Sequence, residues 1–235
     1  MTAKDVLAQL KKLGSEQTKK TFLRHGAKEP FFGVKVGDLK VLQKKIKTDH
    51  ALALELYDSG NSDAMYFAGM IADPLAFTKA QLQKWVKGAY WYMISGFTVP
   101  WAASESKFGR ELALDWMDSS KEQIANAGWC TYASLVAIKP DADLDFAEIE
   151  KLMKRVQNEI GSAPNRTRYA MNNFVIAVGA FVAPLTEKAK AIARAVGPVE
   201  VDMGDTSCQT PDAVAYIEKI EARGSVGKKR KRAGC

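Results

Sequence analysis

Cysteine is scarce in this chain of 235 residues: Cys130, Cys208 and Cys235 are scattered and form no CxxC pair. An odd, dispersed set excludes a disulfide framework and a structural zinc site. Histidine is scarcer still, and His25 and His50 stand too far apart to make a histidine-rich metal centre. No metal site is therefore expected. Long apolar runs are missing as well. The longest, Phe174 to Leu185, falls well short of the roughly 20 residues that span a bilayer. The N-terminal MTAKDVLAQLKKLG lacks the apolar core of a secretion signal. The expectation is a cytoplasmic, monomeric protein with no membrane partner. Period-two alternation is also absent. Val199–Asp202 is the one short stretch that shows it, so no sheet is expected.

What is present is an ordinary globular composition, with 47% apolar and 26% charged residues, enough to bury a substantial core. The charge is unevenly placed. Residues 1–50 hold 12 Lys/Arg against 5 Asp/Glu, and Lys228-Lys229-Arg230-Lys231-Arg232 adds five consecutive cations. The stretch between is mildly acidic. Basic ends of this kind suit a polyanionic partner. The plainer alternative is a solvated lysine face and a disordered tail. The composition of 223–235 reads as a flexible basic arm following one helical domain over 1–222.

Helical spacing runs through that domain. Phe146, Ile149, Leu152, Met153, Val156 and Ile160 form one apolar face, and Phe108, Leu112, Ala113 and Trp116 form another. Gly, Pro and Asx/Ser breakers separate about a dozen such segments. Ser15 before Glu16 and Ser62 before Asp63 are expected N-caps, and Gly37-Asp38 is expected to cap the helix after it. A further helix is expected to start near Pro211, capped by Asp205, Thr206 or Ser207. Three small-residue segments, Ala68–Ala72, Ala133–Ala137 and Ala177–Phe181, are each followed by a break and a broader amphipathic helix. Small residues allow close approach, which places the first helix of each pair inside. The pattern predicts an all-α, HEAT-like helical-repeat solenoid with a concave face.

The most distinctive short stretch is Phe32-Gly33-Val34-Lys35-Val36-Gly37-Asp38-Leu39, followed by Leu56-Tyr57-Asp58-Ser59-Gly60 and then Asp63. Here the chain resembles the DNA alkylation repair (AlkD-like) family over roughly residues 5 to 200. The resemblance implies a HEAT-like solenoid that grips duplex DNA, alkylated or structured, on its concave face. In active members it also implies N-glycosidic hydrolysis of cationic alkylpurines without metal or cofactor. Two tryptophans and an aspartate line the cleft of those members: the aromatic faces attract the cationic base, and the carboxylate stabilises an oxocarbenium-like sugar. Carried over one position at a time, Trp91 is kept and the aspartate falls on Ser95. The arginine after Trp129 becomes Tyr132. The second tryptophan and its arginine fall near Asn173 and Ile176.

Trp91, Ser95, Tyr132 and Asn173 are therefore the cleft candidates. Lys35, Arg166, Arg168, Asn172 and the cations Lys228, Lys229, Arg230, Lys231 and Arg232 are the candidate nucleic-acid contacts. Trp85 and Trp116, on clean amphipathic stripes, belong to the core. Three functions fit these residues: an alkylpurine glycosylase, a non-catalytic binder of damaged or branched DNA, and a helical-repeat adaptor for proteins.

Overall fold

The structure, a computed structural model, describes residues 1–234; Cys235 lies outside the described residues. Helices follow one another at short intervals: α1 (Ala3–Leu13), α2 (Glu16–Arg24), α3 (Val36–Ile46), α4 (His50–Asp58), α5 (Ser62–Ile71), α6 (Lys79–Gly88) and α7 (Val99–Glu105). Then come α8 (Gly109–Met117), α9 (Glu122–Ile138), α10 (Phe146–Glu159), α11 (Asn165–Phe181), α12 (Thr186–Val196) and α13 (Ala213–Ala222). A π-helical turn over Ile94–Thr98 runs into α7. No strand occurs among the described residues, and Val199–Asp202 is an irregular connection.

Local sequence sets many of the boundaries. Thr2 with Asp5 and Thr78 with Gln81 form capping boxes, and Ser15 caps α2 as its sequence predicts. Three expected caps differ. Asn61, one residue before Ser62, caps α5 through the Ala64 N–H. The helix α3 begins at Val36 with no side-chain cap, so Gly37-Asp38 lies inside its first turn. Asp212 caps α13, so Asp205, Thr206 and Ser207 are left in the loop before it. In each case a neighbouring residue holds the extended backbone that a cap requires.

The helices pair into two layers of a HEAT-like solenoid. The inner layer holds α5, the π turn with α7, α9 and α11, packed side by side; α4, α6, α8 and α10 back them in turn. The inner helices are rich in small residues and largely buried. Close contact explains the composition: a Cβ on Gly128 of α9 would lie 2.6 Å from the Met117 backbone nitrogen of α8. Trp85 stacks on Tyr57 at 4.1 Å, and Trp116 is almost wholly buried, so both are core residues as their stripes predict.

Asp63 ties the N-terminal elements together. Its buried carboxylate accepts the backbone N–H groups of Phe32, Gly33 and Val34, the last two at 3.0 and 3.1 Å. Burial pushes this carboxyl above the ordinary aspartate range, against the downward pull of the three N–H groups. Gly33 has φ +78°, and a Cβ there would lie 2.7 Å from the Lys19 nitrogen. The Gly33 carbonyl accepts the Ser15 N–H at 3.1 Å. The Phe-Gly-Val motif and the acid 30 residues later are thus two halves of one clamp between α2 and α5. Removing the acid leaves three donors without their acceptor, each costing about 1–3 kcal/mol when buried. Asp63→Ala is expected to lower stability by about 3 kcal/mol or more, read as a lower urea midpoint. A loss below about 1 kcal/mol would show that the clamp is incidental.

Candidate nucleic-acid interface

The inner helices run parallel, so their N-terminal ends gather on one edge of the concave face. A cavity of about 290 Å³ opens there, between the Leu23–Lys28 turn, the Tyr90–Tyr92 turn, Ser95, and the first residues of α9 and α11. Trp91 is 6% exposed. Its indole N–H donates to the His25 carbonyl at 3.2 Å, and its ring packs on Phe22 and Tyr92. Ser95 is buried on the π turn, and its Oγ accepts the Asn126 amide at 2.9 Å. Two carboxylates line this cavity, and both take backbone N–H groups: Glu122 from Arg166 at 2.6 Å and Asp202 from Gly204 at 2.8 Å.

The segment 199–208 forms a strap along this edge. Asn165 and Asp202 exchange two hydrogen bonds at 2.7 and 2.8 Å, and the Glu200 carbonyl accepts Arg168 Nη1 at 3.0 Å. Asp205 N–H donates to the Arg24 carbonyl at 3.1 Å. Gly204 makes that approach possible: it has φ +76°, and a Cβ would fall 2.1 Å from the Arg24 oxygen. The strap thereby joins the last repeats back to α2.

A second cavity, about 260 Å³, lies deeper on the concave face. The Arg166 guanidinium, 4.3 Å from the Tyr92 ring, stands between the two, and both residues line each cavity. Phe97 and Trp101 wall the second cavity on one side, with Tyr169, Asn173 and Phe181 on the other. Asn126 and Cys130 form part of its floor. Burial pushes the Cys130 thiol up to about 12, so it is no nucleophile at neutral pH.

The opposite edge, where the inner helices end, is occupied by residues 225–234. Gly227 N–H donates to Ala180 of α11 at 2.9 Å, and Arg230 N–H donates to Ala137 of α9 at 2.8 Å. Lys229 reaches the Val136 carbonyl and Asp141, each at 2.8 Å. Ala233 N–H donates to Glu105, the last residue of α7, at 2.8 Å. The Arg230 guanidinium lies 5.2 Å from the Phe181 ring. The arm that composition presents as flexible is laid across three helix C-termini. Their unpaired carbonyls and negative dipole ends supply partners for a basic segment.

The predicted residues therefore separate. Trp91 and Ser95 meet in the first cavity, and Asn173 lines the second. Tyr132 belongs to neither. It turns between the layers, where its hydroxyl bonds Glu148 and its ring meets Phe174 edge-on at 5.7 Å. Burial and that carboxylate push its phenol far up. Asn172 is buried and donates to the Pro211 carbonyl at 2.9 Å, so it anchors the loop before α13. Arg168 holds the strap, and Lys35 is exposed at the head of α3, lining neither cavity. Lys228, Arg230, Lys231 and Arg232 are exposed, while Lys229 is spent on its anchor. Sequence reasoning did not single out Asn126 and Phe181 as site residues. The stripe Asn126, Cys130, Ala133, Ala137 at helical spacing was the available signal for the floor. No group of three His, Cys, Asp or Glu among the described residues could hold a metal ion, and no single helix is long and apolar enough to cross a membrane.

Comparison with known proteins agrees with this geometry. The family model described as "DNA alkylation repair enzyme" matches residues 6–193. Two uncharacterized Listeria proteins are similar along nearly the whole chain. Lin0241 of Listeria innocua is 36% identical and Lmo0209 of Listeria monocytogenes 34% identical, in each case over 221 residues covering 92% of this chain and 95% of the relative. A solved structure with 41% sequence identity superposes with a TM-score of 0.91, covering 100% of both chains. It is described as representing a new family related to the HEAT-like repeat DNA glycosylases with affinity for branched DNA structures.

If the arm is part of the fold, deleting residues 226–235 removes at least four hydrogen bonds to the body. The expected loss is about 2–3 kcal/mol, measured as a lower urea midpoint. An unchanged midpoint would return the arm to a free tail.

Proposed function

The chain belongs to the DNA alkylation repair enzyme family, and from that premise we propose that it binds branched DNA without hydrolysing the glycosidic bond. The first cavity carries this reading. Ser95 stands where the family resemblance places the catalytic aspartate, and it is held by the Asn126 amide. The Trp91 indole is committed to His25, and the two carboxylates present are committed to backbone N–H groups. A transition state with oxocarbenium character needs a carboxylate beside the sugar; the position that the resemblance gives it holds a hydroxyl, and Glu122 and Asp202 each have one oxygen held by the backbone.

Binding has separate support. The inner helices α5, α7, α9 and α11 carry no Lys or Arg beyond Arg166 and Arg168. The arm restores cations to that face through Lys228, Arg230, Lys231 and Arg232. The opposite edge mixes the exposed acids Glu200, Asp202 and Asp205 of the strap with the exposed cations Arg24 and Lys28. The uninterrupted run of cations lies along the arm's edge, which is where phosphates are drawn most strongly. The affinity of the solved relative's family for branched DNA supports a branched rather than a linear partner.

The test is base release from globally methylated duplex DNA, run beside binding to three-way junctions and matched duplex. No release and a tighter junction complex are expected. Ser95→Asp is expected to release no base either, since Trp91 stays covered. Release by the wild type would instead make this a glycosylase; release by the variant alone would show that the carboxylate is all the cavity lacks. Replacing Lys228, Lys231 and Arg232 together by Gln should flatten the dependence of log K on log salt by about 2.7, three phosphate contacts at about 0.9 each. An unchanged slope would remove the arm from the interface.

A further inference from the structure

Trp91 and Ser95 lie in the first cavity; of the positions at which the family's cleft residues fall, only Asn173 lines the second, whose chemistry differs from the first. Its walls are aromatic: Tyr92, Phe97, Trp101, Tyr169 and Phe181. Phe97 is 38% exposed and presents its ring at the mouth of this space. The Asn173 amide and the Tyr92 and Tyr169 hydroxyls line this space and take no hydrogen-bond partner among the described residues. Guanidiniums stand at two places on its boundary, Arg166 over Tyr92 and Arg230 over Phe181. The volume of about 260 Å³ lies just below the roughly 300 Å³ at which sites for drug-sized ligands begin.

Gly96 adds an independent observation. It has no left-handed backbone, and a Cβ there would meet its nearest neighbours, Asn126 Nδ2 and Cys130 Sγ, at ordinary distances of 3.5 and 3.8 Å. Neither conformation nor packing demands a glycine in this turn, and the missing side chain leaves room in the cavity that Gly96 lines.

We infer that this cavity accepts one unpaired nucleobase, extruded where DNA strands branch. The inference rests on the DNA-binding reading above. Aromatic faces stack on any base, which makes such a site tolerant of sequence. The free amide and hydroxyls meet the exposed edge of a base that has lost its pairing partner, and the two arginines meet the phosphates on either side of it. Bases within a duplex are stacked and paired, so they are not available to such a site. An apolar peptide would leave the amide and both hydroxyls unsatisfied.

The experiment uses the full chain and three DNAs: a three-way junction with two unpaired nucleotides at the branch, one of them 2-aminopurine; the same junction fully paired; and a linear duplex. Wild-type protein is expected to bind the unpaired junction about tenfold more tightly than the paired one and to quench the 2-aminopurine. Gly96→Leu, which fills the cavity, and Phe97→Ala, which opens its exposed wall, should each abolish the quench and the tenfold preference. Unchanged affinity for the paired junction would show that both variants remain folded. Equal wild-type affinity for the two junctions, or a preference that survives both substitutions, overturns the cavity as a base site while leaving branched-DNA binding intact. Failure of the wild type to bind any of the three DNAs overturns both.

Discussion

The parallel alignment of the inner helices governs the placement of everything else. Stacked helical pairs bring their inner members side by side in one direction, so their N-terminal N–H groups collect on one edge and their C-terminal carbonyls on the other. The chain returns to both edges with segments of matching sign. The strap, with Glu200, Asp202 and Asp205, lies at the N-terminal ends. The arm, with Lys228 to Arg232, lies at the C-terminal ends and bonds to the last turns of α11, α9 and α7. Each such charge at a helix end contributes about 0.3–1 kcal/mol, and several act together. The acidic loop and the basic tail are thus the two complements of one field.

This explains which features the sequence could reveal. Helix positions and the inner or outer role of each helix follow from spacing and small residues. Trp85 and Trp116 reach the core because their stripes are unambiguous. The Phe-Gly-Val motif and Asp63 are visible as separate signals, but their union is a tertiary contact. The arm was illegible for a stronger reason. Five consecutive cations with no apolar partner look disordered, and the groups that order them, backbone carbonyls of α9 and α11 and the Glu105 carboxylate, lie as many as 128 residues earlier in the chain. Tyr132 shows the complementary error: aligning it with a cleft arginine fixes its place along α9 but not its face. One helical face points to α10 and Glu148; the other, through Asn126 and Cys130, points into the concave space.

The same geometry bears on the lost chemistry. Ser95 and Asn126 satisfy each other inside a tightly packed turn, where an unpaired buried carboxylate would be costly. A glycosylase needs that cost, because a free carboxylate beside the sugar is its means of stabilising the transition state. Here Trp91 is held by the His25 carbonyl and by Phe22 and Tyr92, and Glu122 and Asp202 each take a backbone N–H.

Rigidity at that edge in turn isolates the second cavity. The Tyr92–Arg166 pair is held from both sides. Glu122 fixes the Arg166 backbone, Met203 of the strap touches its guanidinium, and Trp91 packs on Tyr92. Swinging the partition aside to merge the two spaces would break the contacts of the Arg166 guanidinium with Met203 and Tyr92. What remains open on the concave face is aromatic, uncommitted in its amide and hydroxyls, and edged by a cationic arm. On the proposed reading, a scaffold that binds DNA without a catalytic carboxylate needs a surface that discriminates among DNA structures. The feature that separates a branch from a duplex, and that this surface can read, is a base without a partner.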